Sequence, residues 1–175
     1  QKAIGKFIIF MPHDDYLINN NFIKDAVYSM HQNEKIGCYI SPSINQEDQK
    51  PNFIIKNNTI INGESYILKN LYNDLHPVYS SIILRKKFLD KNKFIAFFGN
   101  KKFFEKISIR PDEYYASICI ACFNKKILIS KINSSVRGYN KNSYSRSKEW
   151  MVNKNAGISI PILFLYRFFS DKSFR

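Results

Sequence analysis

The stretch Gly5-Lys6-Phe7-Ile8-Ile9-Phe10-Met11-Pro12-His13-Asp14-Asp15-Tyr16-Leu17 decides the fold, because an apolar run ends there at two adjacent carboxylates. Residues 7–11 are aromatic or β-branched at most positions, and this continuous pattern predicts a central strand that is covered on both faces. Proline cannot donate a hydrogen bond to a sheet, so Pro12 ends the strand and leaves the polar residues 13–15 at its carboxyl end. Ligands of open α/β sheets bind at that edge.

The chain beyond this stretch contains both helical and strand patterns. Residues 22–30 have the apolar spacing of a helix, and the asparagines at 19–21 precede it as candidate capping residues. The remaining predicted elements are strands at 35–41, 78–85 and 127–132, a hairpin at 53–61 that turns at Asn57-Asn58, a short helix at 62–71 and a surface loop at 41–52.

The composition is that of one globular domain with a strongly basic balance. The 175 residues are 45% hydrophobic, and 27 Lys+Arg against 14 Asp+Glu give a net charge of +13. Such a charge is typical of proteins that bind nucleic acid, anionic membranes or phosphorylated ligands. No nucleic-acid-binding motif accompanies the charge, so we predict no specific nucleic acid partner. The three cysteines are too few for a disulfide scaffold, which favours a reducing compartment.

Residues 3–17 resemble the central motif of family 2 glycosyltransferases of the GT-A type, in which a helix ending in Ala-x-Gly-Lys/Arg leads into a strand that closes on Asp-x-Asp-Asp. Asp14 falls on the second aspartate of that family's metal-binding Asp-x-Asp, and Pro12 takes the place of the first. The resemblance implies that Asp14 binds Mg²⁺ or Mn²⁺ on the donor diphosphate. His13 is a second candidate ligand or a hydrogen-bond partner of the carboxylates, and Asp15 is a candidate for supporting contacts to the cofactor.

Two further segments resemble motifs of the same family. Asp112-Glu113-Tyr114 is similar to the acidic pair that begins a helix there, usually written Glu-Asp-Tyr, although the order is reversed here. The resemblance implies that Asp112 or Glu113 is the catalytic base, and the sequence leaves both open. Arg137 lies in a segment similar to the family's motif of an arginine and a histidine near the diphosphate, although the histidine is missing. An arginine can bind phosphate through two N–H donors.

The resemblance also implies a domain organisation. We expect an α/β, partial GT-A fold with a mixed sheet flanked by helices, in which the amino-terminal nucleotide-binding half is missing. Residues 1–156 would form the acceptor and metal side of the catalytic domain, inactive without that half. Residues 157–175 form a predicted basic, apolar helix, which either packs on the domain or lies in a membrane interface as a peripheral contact.

The function that this resemblance implies is inverting transfer of a sugar from a nucleotide diphosphate donor to a hydroxyl of a sugar or lipid-linked glycan. We expect a role in bacterial surface polysaccharide or glycan synthesis, in the cytoplasm on the inner face of the cell membrane. Two alternatives stay open. One is a catalytically silent, glycosyltransferase-like binding module, indicated by Pro12 and the missing histidine. The other is a basic protein that binds nucleic acid or a membrane surface.

Overall fold

The computed structural model describes residues 4–66, 77–89, 118 and 125–138, and within them the chain forms a mixed α/β fold with few helices. The α/β class predicted from the sequence is confirmed. The elements are β1 (Phe7–Ile9), β2 (Tyr16–Leu17), α1 (Phe22–Gln32), β3 (Ile36–Ile40), β4 (Ser43–Asn45), β5 (Thr59–Asn62), β6 (Ile82–Arg85), β7 (Lys126–Ile129) and β8 (Ser135–Arg137), with 3₁₀ turns at Tyr79–Ser81 and Lys86–Phe88.

The strands form two sheets. The larger has the order β1-β6-β3-β7-β5 and the smaller has the order β2-β8-β4. In the larger sheet only β3 and β7 run parallel, and in the smaller sheet only β4 and β8 do. The small sheet was not predicted, because β2 has two residues and β4 lies inside the segment that was expected to be a loop.

The larger sheet is packed on both faces around β3, whose five residues are all buried. Helix α1 covers one face with Phe22, Ala26 and Met30, which recur at the four-residue spacing of one helical stripe. The opposite face packs against Phe53 and Tyr66. Because burying a large apolar side chain stabilises a fold by about 1.5–3 kcal/mol, these two clusters fix the position of β1 and β6 beside β3.

β1 corrects the first prediction. It is an edge strand of the larger sheet within the described residues, its residues are half-buried, and it ends at Ile9. Phe10 and Met11 lie beyond it with exposed fractions of 43% and 45%. Within the described residues β1 has one neighbouring strand, β6, in which Leu84 lies opposite Ile8. A continuous apolar run does not distinguish a central strand from an edge strand whose two faces are partly covered.

Other local predictions were also wrong. The hairpin at 53–61 does not form, since only β5 is a strand there and it pairs with β7 instead of with residues 53–56. Residues 79–81 of the predicted strand at 78–85 form a 3₁₀ turn. Helix α1 and strand β3 are confirmed, but Asn21 makes no side-chain cap; the Asn19 Oδ1 instead accepts a hydrogen bond from the Asn21 N–H at 2.9 Å.

Arg85, at the end of β6, is a buried cation that the sequence analysis did not single out. Its Nε donates to the Ile36 carbonyl at 2.9 Å, and its Nη2 donates to the carbonyls of Met30 and Asn33 at the end of α1. Burial lowers the pKa of Arg85, and the nearby Glu34 carboxylate opposes that change. The guanidinium therefore satisfies backbone carbonyls that the end of the helix leaves without partners.

None of the helices in the described residues has the length and apolar character that are needed to cross a bilayer. The predicted basic helix at 157–175 lies outside those residues.

Candidate functional site

The acidic pair lies in a tight turn between β1 and β2. The Asp15 N–H donates to the Pro12 carbonyl at 3.3 Å, which closes the turn and places His13 and Asp14 at its two central positions. His13 is exposed and Asp14 is half-buried. The carboxylates therefore follow the carboxyl end of β1, as the sequence predicts, although a loop of two further residues, Phe10 and Met11, separates the strand from the turn.

Asp15 is held by two other segments of the chain. Its Oδ1 accepts the Gly138 N–H at 3.0 Å, and its Oδ2 accepts the Ser80 hydroxyl at 2.8 Å. The Ser80 Oγ is also 3.1 Å from the Ser135 Oγ. Because Ser80 has one hydroxyl hydrogen and gives it to Asp15, Ser135 is the donor in that second contact. Both serines have an exposed fraction of 0%, so their hydroxyls are shielded from water, and their hydrogen bonds fix the end of the turn.

Gly138 is the point at which β8 touches the acidic turn. A Cβ placed on Gly138 would lie 1.8 Å from the Asp14 carbonyl oxygen and 2.5 Å from its carbonyl carbon. Real non-bonded atoms do not approach so closely, so only glycine fits here. The contact follows from the pairing of β8 with β2, in which Val136 lies opposite Tyr16. Arg137 is thus carried to the immediate neighbourhood of the turn.

The side chains at this site differ in whether they have partners among the described residues. Both carboxylate oxygens of Asp15 accept hydrogen bonds. In contrast, the side chains of His13, Asp14 and Arg137 form no hydrogen bond or ion pair with any described residue. Asp15 therefore holds the turn together, whereas the other three side chains have no such role among the described residues.

A metal site built entirely from protein ligands is not present in the part of the chain that the structure describes, where no group of three His, Cys, Asp or Glu side chains is arranged to hold an ion. A cation bound at Asp14 would therefore take most of its ligands from substrate and water.

The two candidate bases, Asp112 and Glu113, lie outside the described residues. Three residues of the site were missed from the sequence, namely Ser80, Ser135 and Gly138. The sequence offers a weak signal for these residues, namely a polar or small residue beside an apolar strand. Examples are Ser80-Ser81 before β6 and the glycine directly after Arg137.

No family model matches the chain, and comparisons with curated proteins and with solved structures found no match. The residues of the site and their geometry are therefore the basis for any functional interpretation.

Proposed function

We propose that this chain is the metal and acceptor side of an inverting glycosyltransferase that takes its sugar from a nucleotide diphosphate donor. The observation that carries the proposal is the contact of Gly138 with the Asp14 backbone, which places Arg137, the residue directly before Gly138, next to Asp14, so that a carboxylate and a guanidinium come from neighbouring positions of the fold. These two groups are suited to a departing diphosphate, because one can bind its divalent cation and the other its phosphate oxygens. The product would be a bacterial surface polysaccharide or another glycan.

The residues at the turn suit a Mg²⁺ or Mn²⁺ ion that takes several of its ligands from the substrate. Mg²⁺ in phosphate-transferring sites is bound by one or two carboxylates and completes its coordination with substrate phosphates and water. Asp14 offers one such carboxylate, and His13 offers an adjacent imidazole. When bound, the cation supplies positive charge that stabilises the leaving diphosphate.

Each residue has a separate task in the proposed reaction. Arg137 binds a phosphate through two parallel N–H donors. Asp15 keeps the turn in place through Ser80 and Gly138, so that Asp14 does not have to reorganise when the donor binds. A carboxylate, Asp112 or Glu113, takes the proton of the acceptor hydroxyl while its oxygen bonds to the anomeric carbon and the bond to the diphosphate oxygen breaks.

A catalytically silent binding module is the second candidate. It is favoured by the turn itself, where Asp15 is engaged in hydrogen bonds and Asp14 is the one other carboxylate, and by the lack of a cluster of three ligand side chains among the described residues. Such a module would bind a nucleotide sugar or glycan without turning it over.

Turnover of nucleotide sugars tests the proposal. We expect the intact protein to release nucleoside diphosphate from at least one member of a panel of nucleotide diphosphate sugars, with Mn²⁺ or Mg²⁺ present and not with EDTA. Addition of candidate sugar or lipid-linked glycan acceptors should speed the release. Donor binding without release under any of these conditions would instead identify a silent module. The absence of both donor binding and release would overturn the proposal.

A further inference from the structure

Lysines gather at the end of the larger sheet where β1 begins, whereas the acidic turn follows the end where β1 stops. The Lys86 N–H donates to the Lys6 carbonyl at 2.9 Å, and the Lys126 N–H donates to the Lys35 carbonyl at 2.9 Å. Lys6 and Lys35 directly precede β1 and β3, Lys86 directly follows β6, and Lys126 is the first residue of β7. These are four consecutive strands of the sheet. Because neighbouring strands are about 4.8 Å apart, the four lysines form a row about 15 Å long.

Two more lysines extend this lysine row around the ring of Phe88. The Lys125 Nζ lies 4.8 Å from the ring centroid and the Lys87 Nζ lies 5.4 Å from it. The Arg85 guanidinium is also near, at 5.8 Å. The aromatic ring is thus surrounded by cations, which its negative faces attract.

Among the described residues, lysines outnumber carboxylates at this end of the sheet. Glu34 forms an ion pair with Lys87 at 3.1 Å. The hydrogen bond from Lys87 and its positive charge lower the pKa of the Glu34 carboxyl. Both partners are exposed, so the pair contributes little. Glu64, just after β5, is the other described carboxylate at this end of the sheet. Like charges on neighbouring strands repel one another, so an anionic surface would stabilise the arrangement.

We propose that the lysine row binds the surface of an anionic phospholipid bilayer. Lysines held near an anionic leaflet each strengthen partitioning about fivefold, and the effect falls off within a Debye length, which suits a row of side chains on one edge of a sheet. Nucleic acid fits this surface less well. Sequence-specific recognition of duplex DNA uses an α-helix or a β-ribbon that inserts in a groove. The described part of this edge consists instead of strand ends and a 3₁₀ turn. The ring of Phe88 is covered by cations, so it is a poor platform for base stacking.

The proposal is independent of sugar transfer, because the lysine row contains none of His13, Asp14 and Arg137. A protein bound to a bilayer through this row would present its acidic turn away from the lipid.

Sedimentation with lipid vesicles tests the lysine row. We expect the intact protein to bind vesicles of phosphatidylcholine containing phosphatidylglycerol, to bind vesicles of phosphatidylcholine alone far more weakly, and to be released by salt. A triple variant, Lys6→Gln, Lys35→Gln and Lys126→Gln, should reduce partitioning about a hundredfold, as expected from three lysines that each contribute about fivefold. A matched triple variant, Lys24→Gln, Lys50→Gln and Lys56→Gln, removes the same charge from exposed lysines elsewhere and should change partitioning only severalfold.

Three results would overturn the proposal. One is the lack of binding to anionic vesicles. Another is an equal loss of binding in the two triple variants, which would assign the binding to net charge alone. The third is tighter binding to duplex DNA than to anionic vesicles at the same salt concentration, with that binding lost in the row variant. Circular dichroism of both variants checks that their folds are unchanged.

Discussion

The Asp14→Ala variant of the intact protein is expected to lose at least about a hundredfold in turnover of its nucleotide sugar, which is the scale on which one charge-stabilising group acts. The Asp14 carboxylate makes no hydrogen bond with the described residues, so its removal breaks no contact of the fold there. The loss should therefore appear in steady-state turnover while the unfolding midpoint in urea stays close to that of the wild type.

An Asp25→Ala variant is the matched control, because it removes an exposed carboxylate in the first turn of α1. It should turn over substrate at the wild-type rate, with a loss of stability of no more than about 1 kcal/mol from the weaker interaction with the helix dipole. Turnover near that of the wild type in Asp14→Ala would remove this carboxylate from the mechanism.

The Gly138→Ala variant is expected to damage both stability and activity. Its new methyl group would lie 1.8 Å from the Asp14 carbonyl oxygen, which is a backbone atom that cannot rotate away. The strand end or the turn must move, which would break the hydrogen bond from the Gly138 N–H to Asp15. We expect a loss of roughly 3 kcal/mol or more in the free energy of unfolding, at the upper end of the range for overpacking, as measured by urea denaturation. A displacement of about 1 Å at the turn should also lower turnover about a hundredfold.

Gly5→Ala provides the control for this substitution. A Cβ on Gly5 would have the Phe7 carbonyl oxygen as its nearest atom, at 3.4 Å, which is an ordinary contact. Its free energy of unfolding should stay within about 0.5 kcal/mol of the wild type. If Gly138→Ala were equally harmless, the close approach of β8 to the acidic turn would be wrong.

The elements that the sequence predicted well are those that local patterns determine. Helix α1 follows from the spacing of Phe22, Ala26 and Met30, and β3 follows from a short apolar run. The position of Asp14 shortly after β1 follows from the apolar run, which is a local pattern, although β1 ends at Ile9, before Pro12.

The features that the sequence did not predict depend on contacts between distant segments. The network of Asp15, Ser80 and Ser135 exists because β8 pairs with β2, and no periodicity within either segment specifies that partner. The predicted hairpin failed for the same reason. The Asn58 Oδ1 accepts a hydrogen bond from the Lys131 N–H at 2.9 Å, so that residue contacts the end of β7 rather than a local turn partner.

Titration with Mn²⁺ in the presence of a nucleoside diphosphate, followed by the electron paramagnetic resonance signal of free Mn²⁺, tests the assignment of Asp14 most directly. We predict that the wild-type protein binds the ion and that Asp14→Asn, which keeps the shape of the side chain, weakens binding at least about tenfold. Loss of a residue that only hydrogen-bonds a metal ligand already lowers metal affinity by about tenfold. Asp25→Asn should leave it unchanged. Equal Mn²⁺ affinity in the wild type and in Asp14→Asn would contradict the proposed role of this carboxylate.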